Sequence, residues 1–249
     1  MHPRHTVEAA VKLAEGGTSA SEISRRLGVS RSTVRYWLLP EGRGRRRALS
    51  EAACDRCGVE HDFQRPPDEY AYLLGLYLGD GCISAHQRGV YRLRITLDVK
   101  YPGIIESTAA AMACVREGKT HIQLRPQKCV DVSSYWRAWS CLFPQHGPGR
   151  KHTREVALVP WQQDVADRLP EQLLRGLIES DGCRFQNTGR CNWSCPRYSF
   201  MNKSDGIRSI FCRACERMGV RWTASGRYTI YVSRKADVAR LDEFIGPKR

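Results

Sequence analysis

The chain has 249 residues, a formal net charge of +14 at pH 7 and a pI near 9.5, with 41% hydrophobic and 27% charged residues. This length allows one sizeable core, or two smaller cores with a short appended module. The apolar runs are too short to span a membrane, and the first residues lack the apolar stretch of a secretory signal. These properties exclude a membrane protein. They predict a cytoplasmic protein with reduced cysteines and a polyanionic partner, because a positive field attracts phosphate backbones.

The N-terminal end carries a large share of the charge and has a helical pattern of its own. Residues 1–50 hold ten Lys and Arg against four Glu, which leaves +6 of the total there. An amphipathic stretch predicts a helix that stops at Gly16, and Ser19 and Ser30 stand where N-caps would begin two further helices. We therefore predict a separate small all-α domain over residues 1–39.

The last of these helices has the pattern of a recognition helix. The segment LGVSRSTVRYWL resembles the helix-turn-helix of resolvase-type and other small bacterial DNA-binding domains. In such a unit the final helix lies in the major groove, which assigns Arg31, Ser32 and Arg35 to DNA and leaves Val34 and Trp37 to the core. A purely structural three-helix bundle is the alternative, but the arginines fall on the face that the core does not use.

Residues 40–67 are predicted to be a basic linker. The stretch EGRGRRRALS cannot bury apolar surface, so we expect it to stay extended. Arms of this kind often insert guanidinium groups into the minor groove of DNA. The candidates for this contact are Arg43, Arg45, Arg46 and Arg47. A flexible linker that does not touch DNA is the alternative.

The linker also contains CDRCGVEH, in which Cys54, Cys57 and His61 have spacings that suit zinc. A tetrahedral structural site needs a fourth ligand, and no second clean pair follows at the spacing of a zinc finger. Cys191 and Cys195 are donors by residue type, but they lie far away in the sequence. The pattern therefore leaves a zinc site and an unmetallated turn both open.

The main body contains one apolar pattern twice, as LLGLYLGDG at residues 73–81 and as LRGLIESDG at residues 174–182. Each copy predicts a helix that ends at glycine. Small residues recur four positions apart in both copies, which leaves a stripe almost without side chains: Gly75 and Gly79, then Gly176 and Ser180. We predict that the two helices pack backbone to backbone. Flanking leucines would fill the cores on either side: Leu74, Leu78, Leu174 and Leu177.

Each of these helices ends in an acid, Asp80 in the first and Asp181 in the second. Close parallel packing would bring both carboxylates to one place, where they repel each other. A divalent cation coordinated by oxygen relieves that repulsion, and Mg²⁺ shared with a substrate phosphate is the usual case. The repeat therefore predicts a metal site where the helices end.

The two motifs resemble the double signature of the LAGLIDADG homing endonucleases, and the resemblance covers roughly residues 69–249. It implies an α+β, pseudo-twofold LAGLIDADG fold in which two αββαββ halves form a saddle-shaped sheet over DNA. We assign the halves to residues 68–160 and 161–249. The order strand, strand, helix, which follows both motifs in the sequence, is what such a repeat predicts.

The resemblance also implies which residues act. In the family the eighth motif residue is the metal-binding acid, which lands on Asp80 and Asp181 and implies Mg²⁺ or Mn²⁺ as the cofactor. At the sixth position the second copy retains an acid, Glu179, which is implied as a further metal-site residue. The first copy departs from the pattern there with Leu78, which puts efficient cleavage in doubt.

Further residues are candidates for catalysis and for contact with DNA. Lys100 and Lys203 follow the second strand of each half at an offset of 103 and are predicted to lie near the cleavage centre. Contact with ordinary backbone phosphate is their alternative role. Strand alternation predicts groove readers, and the loop between the halves adds phosphate contacts. These candidates are Arg92, Arg94, Gln123, Arg125, Arg150 and Lys151.

Three functions are compatible with these patterns. We favour an endonuclease that cuts double-stranded DNA at a long site, as a monomer associated with the nucleoid, because a pure binder gains nothing from two uncompensated carboxylates aimed at phosphates. The alternative is a transcription regulator that keeps the LAGLIDADG fold for DNA binding and does not cut. A maturase acting on RNA fits less well, since the helix-turn-helix indicates duplex DNA.

Overall fold

A computed structural model describes residues 2–39, 54, 57–58, 61, 66–189 and 194–248. The chain divides into two compact units, of which the first comprises Met1–Asp62 with His86–Val90 and the second Phe63–Ala85 with Tyr91–Arg249. The predicted minor-groove residues of the linker lie outside the described residues, namely Arg43, Arg45, Arg46 and Arg47. The domain boundaries predicted at residues 39, 67 and 160 stay predictions.

The first unit contains the predicted three helices: α1 (Arg4–Glu15), α2 (Ala20–Leu27) and α3 (Arg31–Trp37). The hydroxyl of Ser19 accepts a hydrogen bond from the backbone of Glu22, and that of Ser30 accepts one from Thr33, so both predicted N-caps are confirmed. Gly28 makes the turn between α2 and α3 at φ +63°, a left-handed conformation that favours glycine. A small core holds the helices together: Val7, Ala10, Ile23, Val29, Val34 and Trp37.

The second unit repeats the order helix, strand, strand, helix, strand, strand, as predicted. The first copy and the helices that follow it are α4 (Glu69–Asp80), β1 (Gly81–Ala85), β2 (Tyr91–Asp98), α5 (Pro102–Val115), β3 (His121–Arg125), β4 (Cys129–Trp136), α6 (Trp139–Leu142) and α7 (Pro160–Arg168). The second copy and the last helix are α8 (Pro170–Asp181), β5 (Gly182–Thr188), β6 (Ser194–Met201), α9 (Asp205–Arg217), β7 (Thr223–Ser225), β8 (Thr229–Val232) and α10 (Lys235–Asp242). Within the described part of the chain, no helix is both long and apolar enough to cross a membrane.

Each copy builds one antiparallel sheet of four strands, in the matching orders β1-β2-β4-β3 and β5-β6-β8-β7. Alternation along the strands separates two faces. On β2 the side chains of Leu93 and Ile95 are fully buried in the core, while Arg92 and Arg94 point to the other face. On β6 the buried positions are Tyr198 and Phe200. Each sheet therefore packs one face against the core and leaves the other face outside the core.

The helices α4 and α8 touch backbone to backbone, which confirms the prediction from the small-residue stripes. A Cβ atom on Gly75 would lie 2.5 Å from the carbonyl oxygen of Leu173 and 2.7 Å from the backbone nitrogen of Leu177. A Cβ atom on Gly176 would overlap the carbonyl oxygen of Tyr72. The predicted flanking leucines are all fully buried: Leu74, Leu78, Leu174 and Leu177.

We expect Gly176→Ala to destabilise the protein by about 2–3 kcal/mol, because its Cβ would overlap backbone that cannot move aside. Urea unfolding followed by circular dichroism measures this change. Gly118→Ala is the matched control, since its Cβ would meet only the flexible guanidinium of Arg116, at 3.3 Å. Equal stability of the two variants would show that the helices can separate at no cost.

Candidate active site

The two motif aspartates lie at the ends of the touching helices. Asp80 is the last residue of α4 and Asp181 is the last residue of α8. The chain turns at once into a strand after each, at Gly81 and Gly182. A Cβ atom on Gly81 would lie 2.7 Å from the ring of Tyr77, so glycine is required for this tight exit from the helix.

The surroundings of both carboxyls disfavour negative charge. Asp80 keeps contact with solvent, but the protein around its carboxyl, and then the charge of Asp181, raise its pKa to about 6. Burial also raises the pKa of Asp181, and a hydrogen bond from the side-chain amide of Asn202, at 2.5 Å, opposes that rise. The effect of Asp181 on the pKa of Asp80 indicates that the two carboxyls lie within electrostatic reach of each other.

Two lysines balance these carboxylates, and both also bind the carbonyl ends of the motif helices. The ammonium group of Lys151 donates to the carbonyl oxygens of Tyr77, Leu78 and Gly79. The ammonium group of Lys248 donates to the carbonyl oxygen of Ser180 at 3.2 Å. Burial lowers the pKa of Lys151 to about 8, and Asp181 and Asp80 oppose that shift. Burial also lowers the pKa of Lys248, and the negative charge of Asp80 is the largest effect that opposes this shift.

This position of Lys151 revises its predicted role. The sequence assigned it, with Arg150, to DNA phosphate on an exposed loop, whereas its ammonium group is committed to helix carbonyls inside the protein. The loop is ordered by Arg154, whose guanidinium donates to the carbonyl oxygens of Gly147, Pro148 and Gly149 at 2.9–3.1 Å. Arg150 is exposed, and its predicted contact with DNA phosphate stays a prediction.

A cavity of about 450 Å³ opens beside the ends of the motif helices. Its lining includes Asp181, Asn202, Lys151, Arg150 and Lys203. The cavity therefore combines an acid with several cations and with room for a phosphate group.

The donors at this place suit a divalent metal with oxygen ligands. Carboxylates with raised pKa values gain most from a cation, since a bound cation removes the electrostatic cost of ionising them. Asp80 and Asp181 are the residues that would hold Mg²⁺ or Mn²⁺, and the amide of Asn202 fixes the orientation of Asp181.

Glu179 does not take the metal role that the motif implies for it. One of its carboxylate oxygens accepts a hydrogen bond from the hydroxyl of Tyr72, and the other accepts one from Arg175 at 2.9 Å. Its side chain is only 7% exposed. Side chains two residues apart project from nearly opposite sides of a helix. The side chain of Glu179 therefore does not reach the site where the carboxylate of Asp181 lies. Its carboxylate instead ties α8 to Tyr72 of α4.

The two lysines predicted near the cleavage centre differ in their positions. Lys203 is exposed and lines the cavity beside Asp181. Lys100 is exposed and pairs with Asp98 at 3.0 Å, with its ammonium group over the ring of Tyr101. Asn202 and Lys248 are site residues that the sequence reasoning missed. A basic residue near the end of each half, Lys151 and then Lys248, was the available signal for the latter.

The open face of the first sheet carries the predicted groove readers around one buried acid. Arg125 donates to Asp131 at 2.7 Å, and Arg92 and Arg94 lie at 3.9 and 3.8 Å from the same carboxylate. Gln123 stands directly opposite Asp131 on the neighbouring strand. The side chain of Asp131 is 3% exposed. Burial alone would raise its pKa, but hydrogen bonds from Arg125 and Thr96 hold the pKa below its ordinary value.

The open face of the second sheet has a different chemistry. Arg197 pairs with Phe185, and Ser199 pairs with Tyr231, on the side opposite the buried Tyr198. The rings of Phe185 and Tyr231 contact each other at 6.2 Å between centroids, in an edge-on arrangement. This face thus carries two aromatic rings and one arginine, Arg197, whereas the first sheet carries three arginines around an acid.

The helix-turn-helix residues are placed as the sequence predicts. Arg31, Ser32 and Arg35 are exposed on α3, while Val34 and Trp37 are buried in the core of this unit. Tyr36, next to Arg35, is 48% exposed and was not singled out by the sequence reasoning.

Comparison with known proteins gives one domain match and several similar structures. Residues 7–38 match the family described as Homeodomain-like domain. No curated protein matches the chain in sequence. The homing endonuclease I-DmoI, in complex with DNA and Mn, is similar with a TM-score of 0.47 and 18% identity, over 74% of this chain and 98% of that one.

Two further solved structures are similar at comparable levels. The LAGLIDADG meganuclease I-AabMI, bound to uncleaved DNA, has a TM-score of 0.46 and 10% identity, over 70% of this chain and 82% of that one. The N-terminal LAGLIDADG domain of DUF199/WhiA has a TM-score of 0.44 and 11% identity, over 76% of this chain and 84% of that one.

We expect Asp80→Asn to stabilise the metal-free protein at pH 7 by about 1 kcal/mol, after allowance for screening at a carboxyl in contact with solvent. Asp80 ionises near 3.8 in the unfolded chain and near 6 in the folded protein. The stability of the wild type should therefore fall, relative to the variant, as the pH rises through that interval. Urea unfolding at pH 4 and at pH 7 measures the difference.

Addition of Mg²⁺ should raise the stability of the wild type and leave Asp80→Asn nearly unchanged, because only the ionised pair binds the cation strongly. Asp98→Asn is the matched control, since Lys100 lowers the pKa of that carboxyl rather than raising it. A wild type whose stability relative to Asp80→Asn does not depend on pH would contradict the description of the site.

Proposed function

We propose that this chain is a site-specific DNA endonuclease that depends on a divalent metal, Mg²⁺ or Mn²⁺, held by Asp80 and Asp181. The observation that carries the proposal is the contact of α4 with α8, which ends in two carboxyls of raised pKa beside a cavity. A bound divalent cation supplies charge stabilisation for the in-line displacement at a phosphodiester.

The residues of the chain prepare this place for the metal and for the phosphate. Asp80, with its pKa near 6, is ionised at pH 7 and available as a ligand. Asn202 orients Asp181. Lys151 fixes the end of α4 through three carbonyl hydrogen bonds. Lys203 and Arg150, exposed at the cavity, are positioned to contact the DNA backbone.

Double-stranded DNA is the proposed partner, and a single chain suffices because it carries both motifs. The open face of the first sheet offers Arg92, Arg94 and Arg125, side chains that favour guanine in the major groove. The helix-turn-helix adds a second contact through Arg31 and Arg35 of α3. A chain with these two elements would cover a long site.

The target should not be a palindrome. The first sheet presents three arginines around an acid, whereas the second presents Phe185 and Tyr231 beside a single arginine, Arg197. The aromatic rings suit apolar contact such as that with the methyl group of thymine. Two faces of different chemistry read two different half-sites, even on a duplicated backbone.

A transcription regulator that binds DNA without cutting is the second candidate, and one observation favours it. The sequence favours cleavage because two carboxylates without a compensating positive charge would be of no use to a protein that only binds DNA. In the structure burial raises the pKa values of both acids, and Lys151 and Lys248 lie close enough to oppose that rise. The acids are therefore partly compensated in the absence of metal, so a binder can carry them at reduced cost.

The experiment that separates the two functions compares the wild type with Asp181→Asn on a library of duplex DNA, with Mg²⁺, with Mn²⁺ and with EDTA. Bound and cut molecules are sequenced separately. We expect the wild type to cut a narrow set of sites only with metal, and the variant to lose at least about 1,000-fold in cleavage while binding the same sites.

Asp205→Asn is the control for the lost charge, since Asp205 is exposed at the start of α9. Specific binding by the wild type without cleavage under either metal would establish the regulator and refute the endonuclease. Cleavage that survives in Asp181→Asn would place the chemistry elsewhere.

We expect Asp131→Asn to reduce discrimination between cognate and random DNA by about tenfold while leaving affinity at low salt equal or higher. The carboxylate of Asp131 holds Arg125 in a fixed geometry, and its loss adds one positive charge to the face. Competition binding at two salt concentrations measures both effects. Asp98→Asn makes the same charge change beyond the arginine cluster, so it should leave discrimination intact. Unchanged discrimination in Asp131→Asn would mean that Arg125 does not read bases.

A further inference from the structure

The first unit brings together three side chains whose chemistry differs from that of the aspartate site. The sulfur atoms of Cys54 and Cys57 and a ring nitrogen of His61 lie within 4.8 Å of one another. These residues belong to the segment CDRCGVEH, which follows the helix-turn-helix in sequence and which the proposed DNA cleavage does not use. Cys57 is buried.

A tight turn places the two cysteines on the same side. The backbone N–H of Gly58 donates to the carbonyl oxygen of Cys54 at 2.7 Å, which closes the chain between them. Gly58 has φ +64°, a left-handed conformation that lets the chain turn away directly after Cys57. The turn thus brings the thiols of the two cysteines close to each other.

The distances are close to those of a tetrahedral zinc site. Two thiolates at about 2.3 Å from a tetrahedral zinc lie about 3.8 Å apart. The separation of up to 4.8 Å needs only small side-chain rotations to reach this value. Thiolate and imidazole are ligands that zinc prefers, whereas Mg²⁺ prefers the oxygen donors of Asp80 and Asp181.

A metal would also supply stabilisation that the composition of this segment does not offer. The eight residues of CDRCGVEH contain one aliphatic side chain larger than alanine, Val59. A segment of this composition gains little from hydrophobic packing, and metal binding can provide the free energy that orders it.

We propose that Cys54, Cys57 and His61 bind a structural zinc ion. The site is separate in its ligands from the aspartate site, and it does not depend on whether the protein cleaves DNA. Three protein donors leave one tetrahedral position, which is filled by a further thiolate or by water.

The test measures the zinc content of the full-length protein, purified under reducing conditions without chelator. Elemental analysis should find about one zinc per chain. The double variant Cys54→Ser/Cys57→Ser should lose at least about 90% of that zinc. Asp181→Asn should keep all of it, since the two sites do not share ligands. Cys114→Ser, at an exposed cysteine outside the segment, is the matched control and should also keep its zinc.

Replacement of zinc by Co²⁺ in the wild type gives a second measurement that does not depend on the folding of a variant. A tetrahedral site with thiolates gives intense visible bands and a sulfur-to-metal charge-transfer band, whose intensity counts two or three thiolates. Either count supports the proposal.

Any one of several results would overturn it. These are the weak spectrum of six-coordinate Co²⁺, zinc retained in full by the double serine variant, and a wild type that binds no zinc from solution while its cysteines are reduced. A disulfide between Cys54 and Cys57 in protein kept under reducing conditions would also refute the site.

Discussion

The close contact between α4 and α8 is the constraint on which the second unit depends. Glycines at 75 and 176 let one backbone lie against the other, and leucines on both sides of that line fill the cores of the two halves. Neighbouring helices normally lie 8–10 Å apart because side chains separate them, and contact without side chains brings the helix ends together. The position of the two aspartates is therefore a consequence of packing, fixed before any metal or DNA arrives.

That packing has an electrostatic cost. The C-terminal end of a helix carries partial negative charge, so an aspartate there is disfavoured by its own helix as well as by its neighbour. Lys151 opposes both effects at once, because its ammonium group binds the terminal carbonyls of α4 and lies near both carboxylates. Lys248 does the same at α8. The fold thus tolerates the acids without a cation and retains, in the raised pKa of Asp80, a preference for one.

The sequence predicted what depends on local pattern and missed what depends on tertiary placement. The N-caps Ser19 and Ser30, the glycine stripe and the alternation on β2 are set by residues a few positions apart, so they could be read in advance. Lys151 and Lys248 act on helices far from them in sequence, and Asp131 gathers arginines from two other strands. Glu179 is a different case. Helix periodicity already places it on the side of α8 opposite Asp181, and the family resemblance obscured that signal.

The two halves have similar interiors, but the side chains on their open sheet faces differ. At the helix contact any added atom meets backbone, so Gly75 and Gly176 leave little freedom for change. The open face of a sheet has no such restriction, because side chains there project toward a partner rather than into the core. In the first half this face holds Arg92, Arg94 and Arg125 around Asp131, and in the second it holds Phe185 against Tyr231 beside Arg197. For the proposed endonuclease, a duplicated backbone with a common centre and dissimilar faces suits an asymmetric duplex, because the proposed chemistry at the centre would not depend on the sequence read on either side.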